Sequence, residues 1–434
     1  MATEKLERIF GLREAGSTVT TEIRAGATTF LTLSYILFVN PQILAQAGLP
    51  REDVVVATAI ASATATLLMG LWANLPIALA PGMGLNAYFT FGVVGAMGVD
   101  WRIALAAVFI EGILFLVLAV TGARSALVRA IPTQIKVATM AGIGLFLAMI
   151  GLQSAGVVVD HADTLVGLGD LGAPSTLLAL AGLLLMAALM TRRIRGGILY
   201  GILIVAGTAW VSGISPGPDS ILTLPSLPRE TLFALDFHGL LTGKMLSVIL
   251  AFLFVDFFDT AGTLMGVGRL AGFVDERGRL TRANRAFTAD AVGTSVGALL
   301  GTSTVTSYVE SATGVEEGGR TGLTAVAVAI LFLLSLFFTP LLAAVPAIAT
   351  APALILVGAL MMRGSKDLDW KAPDQAVPAL LTIAGMPFTY SIANGITLGL
   401  VSFVLIRVLA GRYREVHPLM YLLSGLLIAF YALR

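Results

Sequence analysis

The chain is a succession of long apolar runs, each near the roughly 20 residues an α-helix needs to cross a bilayer core. Fourteen such segments are predicted: 25–46, 54–73, 76–96, 103–122, 133–154, 173–191, 196–214, 245–267, 284–300, 301–316, 321–345, 347–362, 374–389 and 391–411. They are numbered here as segments 1 to 14. Several are short or interrupted. A further apolar stretch, 418–433, is short for a crossing and is expected to lie in the inner interface, with a fifteenth crossing as the alternative. The first twenty residues are polar and of mixed charge, with no apolar core of the signal-peptide kind, so they read as a short cytoplasmic tail or an interfacial helix.

The basic residues fall where fourteen crossings with an internal N-terminus need them. Arg124, Arg129 and Lys136 follow segment 4, and Arg192, Arg193 and Arg195 follow segment 6. Arg269, Arg277, Arg279, Arg282 and Arg285 follow segment 8, and Arg320 follows segment 10. Arg363, Lys366 and Lys371 follow segment 12, and Arg407, Arg412 and Arg414 close segment 14. The external connections receive only Arg51, Arg102, Arg229 and Lys244, and the long ones near 155–172 and 215–243 lean acidic.

Composition agrees with this. Of 434 residues, 57% are hydrophobic and 12% charged, about half the charged share of a soluble domain. The net charge of +1 gives no field for nucleic acid. The absence of cysteine removes disulfides, zinc–thiolate sites and thiol chemistry. No metal or cofactor is expected.

Weak echoes recur seven segments apart. Tyr35-Ile-Leu-Phe-Val-Asn40 in segment 1 resembles Phe252-Leu-Phe-Val-Asp256 in segment 8. Ile131-Pro132 opens segment 5 as Val345-Pro346 opens segment 12, and Gly197-Ile-Leu-Tyr-Gly201 resembles Gly395-Ile-Thr-Leu-Gly399. An odd number of crossings per repeat inverts the second half against the first. Segments 3 and 10 correspond under this offset. One carries Pro76, Pro81 and several glycines, and the other alternates Thr, Ser and Val over Thr302–Ser307. Proline interrupts a helix and the Thr/Val run favours extended backbone. The expectation is a short strand followed by a half-helix in each, with the two half-helix N-termini facing each other near the midplane. Irregular backbone survives at that depth only where protein or a cavity satisfies it.

Carboxyls at this depth carry the candidate chemistry. Segment 8 holds Asp256 and Asp259, segment 10 holds Glu310, segment 9 Asp290, segment 4 Glu111, and Asn86 sits in segment 3. Each intramembrane carboxylate costs at least ~2.5–3.5 kcal/mol on insertion scales. No Lys or Arg occurs within segments 3, 8 or 10 to pair with them. Glu111 reads as a helix–helix hydrogen bond or ion pair and Asp290 as structural, whereas Asp256, Asp259 and Glu310 read as functional, with Asn86 and Tyr308 beside them. His161, His238 and His417 all fall in connections, so a carboxyl must carry any coupling proton.

Two stretches carry a family resemblance. Phe254-Val-Asp256-Phe-Phe-Asp259-Thr260-Ala-Gly-Thr263 is one; the other runs from Gly301 through Thr-Ser-Tyr308-Val-Glu310-Ser to Gly319-Arg320-Thr-Gly-Leu323. With Ala80-Pro-Gly-Met-Gly-Leu-Asn86, they resemble the signatures of the AzgA-like purine permeases of the nucleobase/cation symporter (nucleobase–ascorbate transporter) superfamily. The resemblance is clearest from Arg24 to about Met362. It implies an all-α polytopic membrane protein of 7+7 inverted repeats, with a core domain moving against a gate domain. On that division 1–23 is the N-terminal tail, 24–122 and 244–345 form the core, and 123–215 and 346–411 form the gate. Residues 216–243 are an external loop and 412–434 the C-terminal piece. It further implies import of adenine, guanine or hypoxanthine with protons across the plasma membrane, and dimerisation through the gate. By motif position, Glu310 and Asp256 are the main purine-binding and proton-coupling carboxylates, Asn86 the segment 3 contact, and Asp259 an assistant.

The chemistry is compatible. A purine offers adjacent N–H donors that one carboxylate can accept in pairs. Flat apolar walls suit its ring, with Phe30, Phe89 and Phe257 as candidates against the commoner role of core packing. Glycine-rich seams at Gly142, Gly144, Gly201 and Gly395 would allow close sliding. Two other carriers remain open: a sodium-coupled one using the segment 10 hydroxyls, and an anion carrier of the same architecture, which would need midplane cations. An intramembrane enzyme is disfavoured, since no His or Cys accompanies the hydroxyls and carboxyls.

Overall fold

A computed structural model describes residues 2–121, 132–240, 242–275 and 279–432. Arg124, Arg129, Ile131, Arg277 and the last residue of segment 4 lie outside the described residues. Among the described residues nine helices are long and apolar enough to cross a membrane, and they correspond to segments 1, 2, 4, 5, 6, 8, 11, 12 and 14. Gly197–Val211 of segment 7 is a shorter apolar helix. Segment 9 is Ala283–Leu300, and segment 13 is Pro373–Phe388 with Pro378 and Pro387 inside it. Segment 1 is longer than its apolar run: Val19–Leu33 is capped by Thr18, breaks at Ser34–Tyr35 and resumes as Ile36–Ala45. A separate helix, Ala2–Phe10, precedes it, and Pro418–Ala432 packs on segment 14.

Segments 3 and 10 break as their residues dictate. Strand β1, Leu79–Pro81, leads into helical turns over Met83–Ala96. Two further strands, β2 (Val158–His161) and β3 (Leu165–Leu168), form an antiparallel hairpin in the connection after segment 5, which the apolar pattern did not reveal. Strand β4, Val305–Ser307, precedes the half-helix Ser311–Glu316. β1 and β4 pair antiparallel, with Ala80 opposite Thr306. Outside the strands, Gly82 N–H donates to Thr304 O and Tyr308 N–H to Ala78 O, both at 2.9 Å.

The outward edge of each strand is satisfied by one threonine. Thr66 of segment 2 accepts from Leu79 N–H at 2.9 Å and donates to Leu79 O at 3.1 Å. Thr294 of segment 9 accepts from Val305 N–H at 3.1 Å and donates to Val305 O at 2.9 Å. Segments 2 and 9 stand seven apart, and a two-fold through the Ala80–Thr306 pair exchanges Leu79 with Val305. The bonds obey the inverted symmetry that the weak sequence echoes suggested. Proline at 81 loses nothing here, because the ladder runs through Ala80, Thr306 and the flanking Gly82 and Tyr308.

The helices pack in two groups. Segments 1, 2, 4, 8, 9 and 11 surround the crossed strands, and segments 5, 6, 7, 12, 13 and 14 pack mainly on one another. The glycine seams lie inside the second group. Gly142 approaches the Thr382 carbonyl, Gly144 the Gly358 carbonyl, Gly201 the Met186 side chain and Gly395 the Thr382 carbonyl. They tighten that group and do not line a sliding surface between the two, which corrects the expectation for them. Contact between the groups is largely through side chains. Phe91 meets Phe146 and Tyr390 edge-on, and Arg195 forms an ion pair with Glu317, which Arg24 also meets at 3.4 Å.

The Gly-Gly-Arg-Thr-Gly-Leu run ending at Leu323 has a structural use. Fully buried Glu22 accepts the N–H groups of Arg320 (2.9 Å), Thr321 (3.2 Å) and Thr324 (3.2 Å), together with the Thr324 hydroxyl. A carboxylate thus fills the otherwise unbonded donors at the start of segment 11, where the helix dipole also favours negative charge. Gly322 passes against the Gly70 carbonyl, too close for any side chain. Glu22→Ala should destabilise the protein by about 2 kcal/mol or more, since each orphaned buried donor costs about 1–3 kcal/mol. A lowered melting temperature in detergent, with Glu22→Gln intermediate, checks this.

Candidate functional site

Two tiers of carboxyl meet where β1 and β4 cross. The first faces outward from the end of β4. Glu310 precedes the segment 10 half-helix and is half-buried. Its Oε1 accepts from Tyr35 Oη at 2.7 Å, and among the described residues no other side chain is recorded bonding it. Tyr35 sits at the break in segment 1, which turns its hydroxyl to this point. Asp259, also half-buried, lies within electrostatic reach of Glu310, Tyr35 and Tyr308. Two half-buried acidic groups thus stand beside two buried phenols.

The second tier is sealed behind the strands. Asp256, Glu111 and Asp290 are each 0% exposed. Asp290 Oδ2 accepts from Thr260 Oγ1 at 2.8 Å and Ser307 Oγ at 3.1 Å, and its Oδ1 has no partner among the described residues. Thr294 Oγ1, whose proton goes to Val305 O, stands 3.5 Å from Asp256 Oδ2; Thr306 lies beside Asp256, and its Oδ1 has no partner among the described residues. Among the described residues neither Glu111 oxygen has a donor, and Asp256 and Asp290 are its charged neighbours.

Asp256 neighbours Glu111 and Asp290, Glu310 neighbours Asp259, and Asp259 lies within electrostatic reach of both sets. Asp256 is fully buried in this conformation, whereas Glu310 is half-exposed. Asn86 accepts from the Ser303 hydroxyl through Oδ1, and its amide nitrogen has no partner among the described residues, so it ties segment 3 to segment 10 from a fully buried position. Tyr308 donates from Oη to Pro81 O at 2.6 Å and so braces the strand crossing. Phe257 is fully buried, with its ring 5.8 Å from Phe115 and 5.7 Å from Phe287, the core-packing role open to it from the sequence. Phe89 is fully buried, and Phe30 stands edge-on to Phe332 at 5.3 Å.

Tyr35 entered the sequence reading only as part of a repeat, although an aromatic hydroxyl at a predicted mid-membrane position is itself a signal. Glu111 was read as a helix–helix contact, and its partners prove to be acids. Asp290 is held by hydroxyls, as its structural reading implied. Among the described residues, no group of three or more His, Asp or Glu side chains is arranged to hold a metal ion.

Apolar helices packed around two hydrogen-bonded half-segments, with carboxyls at the crossing, define a membrane carrier built on a discontinuous-helix site. Residues 20–398 match the model of the xanthine/uracil-type permeases (Xan_ur_permease, "Permease family"), and the chain belongs to that family; it is a transporter and not an enzyme. A protein of Methanocaldococcus jannaschii is 50% identical over 98% of this chain and 97% of its own length. The adenine permease AdeP of Escherichia coli is 42% identical over 98% of this chain and 95% of its own. The guanine/hypoxanthine permease PbuO of Bacillus subtilis is 44% identical over 95% and 96%. The AzgA-like resemblance is borne out. In fold, the chain is similar to the transmembrane domain of a cyanobacterium bicarbonate transporter, with a TM-score of 0.65 at 17% identity, covering 86% of this chain and 97% of that one.

Tyr308→Phe tests whether this phenol braces the fold or meets a ligand. Loss of the donor to Pro81 O should lower stability by about 1–3 kcal/mol. Ligand affinity of the folded fraction should hardly change. A large affinity loss at unchanged melting temperature would instead make Tyr308 a ligand contact.

Proposed function

We propose that this protein imports purine nucleobases, adenine, guanine or hypoxanthine, by proton symport across the plasma membrane. The observation that carries the reading is Glu310: a half-buried carboxylate at the end of β4, steadied by Tyr35 on one oxygen and flanked by Asp259. A purine edge with adjacent ring N–H and amino N–H groups matches such an acceptor. The family supports the substrate class, through relatives described as adenine and guanine/hypoxanthine permeases.

On this reading Glu310 and Asp259 receive the purine. Asn86 and Tyr308 hold the half-segments that frame it, and Asp256 takes part through the proton. The fourteen segments cross as two inverted sets of seven, with the N-terminus inside and the long acidic loops outside. Segments 1–4 and 8–11 move as a core against a gate of segments 5–7 and 12–14. The gate offers the surface for a homodimer. The pairing of Arg195 and Arg24 with Glu317 then lies on the cytoplasmic side, between core and gate. Neutralising the acids by a proton lets the loaded core pass an apolar gate without a large uncompensated charge. The same fold serves a bicarbonate transporter, but segments 3, 8 and 10 offer an anion no Lys or Arg.

Competitive uptake of adenine, guanine, hypoxanthine, xanthine and uracil by cells expressing the protein tests the substrate class. Glu310→Gln should weaken purine uptake about tenfold or more, because a hydrogen bond to a charged group is worth about 1.5–3 kcal/mol. Normal transport by this variant would remove Glu310 from the site. Collapsing the proton gradient should abolish concentrative uptake, and uptake should fall as external pH rises. Uptake that persists and follows sodium would replace the proton as the coupling ion.

A further inference from the structure

We propose that the cavity between the N-terminal helix and the starts of segments 9 and 11 binds a phosphate-bearing organic anion, at a site apart from the strand crossing. The cavity has a volume of about 400 Å³, in the range of small-molecule pockets. Three guanidinium groups line it: Arg8 of the helix Ala2–Phe10, Arg282 at the start of segment 9 and Arg320 between segments 10 and 11. Glu14 is the one acid in its wall among the described residues. None of the three arginines forms an ion pair among the described residues. The helix that carries Arg8 is anchored here. Phe10 and Leu12 are buried with Leu323, the Phe10 carbonyl accepts from Asn74 Nδ2 at 3.1 Å, and Asn74 Oδ1 accepts from Gly322 N–H at 2.6 Å. The end of segment 2 thus ties the N-terminal helix to the start of segment 11, beside Arg320.

Two of the three guanidiniums are oriented by backbone. Arg320 Nη1 donates to Val315 O at 2.6 Å and to Gly319 O at 2.8 Å, and Arg282 Nη1 donates to Asn74 O at 3.0 Å and to Ala73 O at 3.4 Å. Each closes a helix end with a single nitrogen. Among the described residues the Nε and Nη2 groups of both, and the whole Arg8 guanidinium, have no acceptor. The bias of basic residues towards one side of a membrane accounts for arginines at this end of the protein. It does not account for three around one cavity without a counter-ion. Arg282 moreover has φ +59°, a left-handed backbone that glycine would take with less strain. A guanidinium fork matches the oxygens of phosphate, and forks already fixed by carbonyls lose little freedom on binding. Ile9, Phe10 and Phe273 add an apolar wall, so the cavity suits a phosphate ester with an apolar or aromatic group better than a bare oxyanion. Two sources share that chemistry: a soluble organic phosphate and the headgroup of an anionic phospholipid. The inference does not depend on which substrate is carried.

The test uses the purified full-length protein, with phenyl phosphate as the soluble probe and nanodiscs of phosphatidylglycerol, against phosphatidylcholine, as the lipid probe. A ligand that bridges these elements in the folded state should raise the melting temperature. Binding and stabilisation by phenyl phosphate in detergent, weakened by added salt and absent with phenol, assign the soluble source. Stabilisation by phosphatidylglycerol alone assigns the headgroup. Either response should depend on the arginines. Arg8→Gln breaks no hydrogen bond within the protein, so without ligand its melting temperature should match the wild type. Its affinity for phenyl phosphate should fall about tenfold or more, or most of the lipid-induced shift should disappear. Arg8→Lys keeps the charge without the fork and should lie between the two. Arg320→Gln also opens a helix end and should lower both the melting temperature and the ligand response. The proposal is overturned if neither probe stabilises the wild type, or if Arg8→Gln and Arg320→Gln fold and respond as the wild type does. Sulfate or inorganic phosphate binding as tightly as phenyl phosphate would equally overturn it, since the apolar wall would then recognise nothing.

Discussion

Everything at the centre of this protein depends on two interrupted segments satisfying each other's backbone. A chain that leaves helical geometry inside a bilayer must find partners for its N–H and C=O groups, because hydrocarbon offers none. Here β1 and β4 supply them mutually, Thr66 and Thr294 close the outer edges, and Tyr308 takes the Pro81 carbonyl. The hydroxyl-rich Thr302–Ser307 run has a purpose in these terms. Thr306 and Ser307 meet Thr260 and Asp290, and Ser303 holds Asn86. Polar side chains that would be a liability in a lipid-facing helix become the joints of a crossing buried in protein.

The crossing also sorts the acids. A helix turns about 100° per residue, so Asp256 and Asp259 point about 60° apart around segment 8. That difference sends one carboxyl behind the strands, towards segments 4 and 9, and the other to the half-open surface beside Glu310. Phe257, between them, turns into the aromatic cluster of Phe115 and Phe287. A single helix thus serves a surface that can meet a ligand and a sealed compartment that can store charge. Coupling between substrate and ion in a carrier needs two such places in communication, because a ligand shifts an equilibrium only through its differential interaction with the states.

Much of this was legible before any coordinates. The apolar runs locate the helices to within a few residues, and the Pro/Gly pattern of segment 3 with the Thr/Val pattern of segment 10 announces both strands and half-helices. The acids at depth could be found by their cost alone. Their grouping could not: residues three apart on a helix share a face only loosely, and whether they meet the same neighbours depends on how segments 4 and 9 approach. Segment 1 was drawn too short because its start was taken from apolarity, although Thr18 is a helix cap and Glu22 follows it in the first turn. That omission hid the carboxylate that anchors segment 11. The β2–β3 hairpin, with Leu165 at its turn and Leu168 exposed, carried no alternating pattern to betray it.

On the proposed reading the transported molecule sits at the end of β4, beside Glu310 and Asp259. An experimental structure of the purified protein with bound guanine addresses this most directly. The purine edge should lie within hydrogen-bonding distance of the Glu310 carboxylate, on the Asp259 side of the crossing. A purine lodged among segments 5–7 and 12–14, away from Glu310, would contradict that reading.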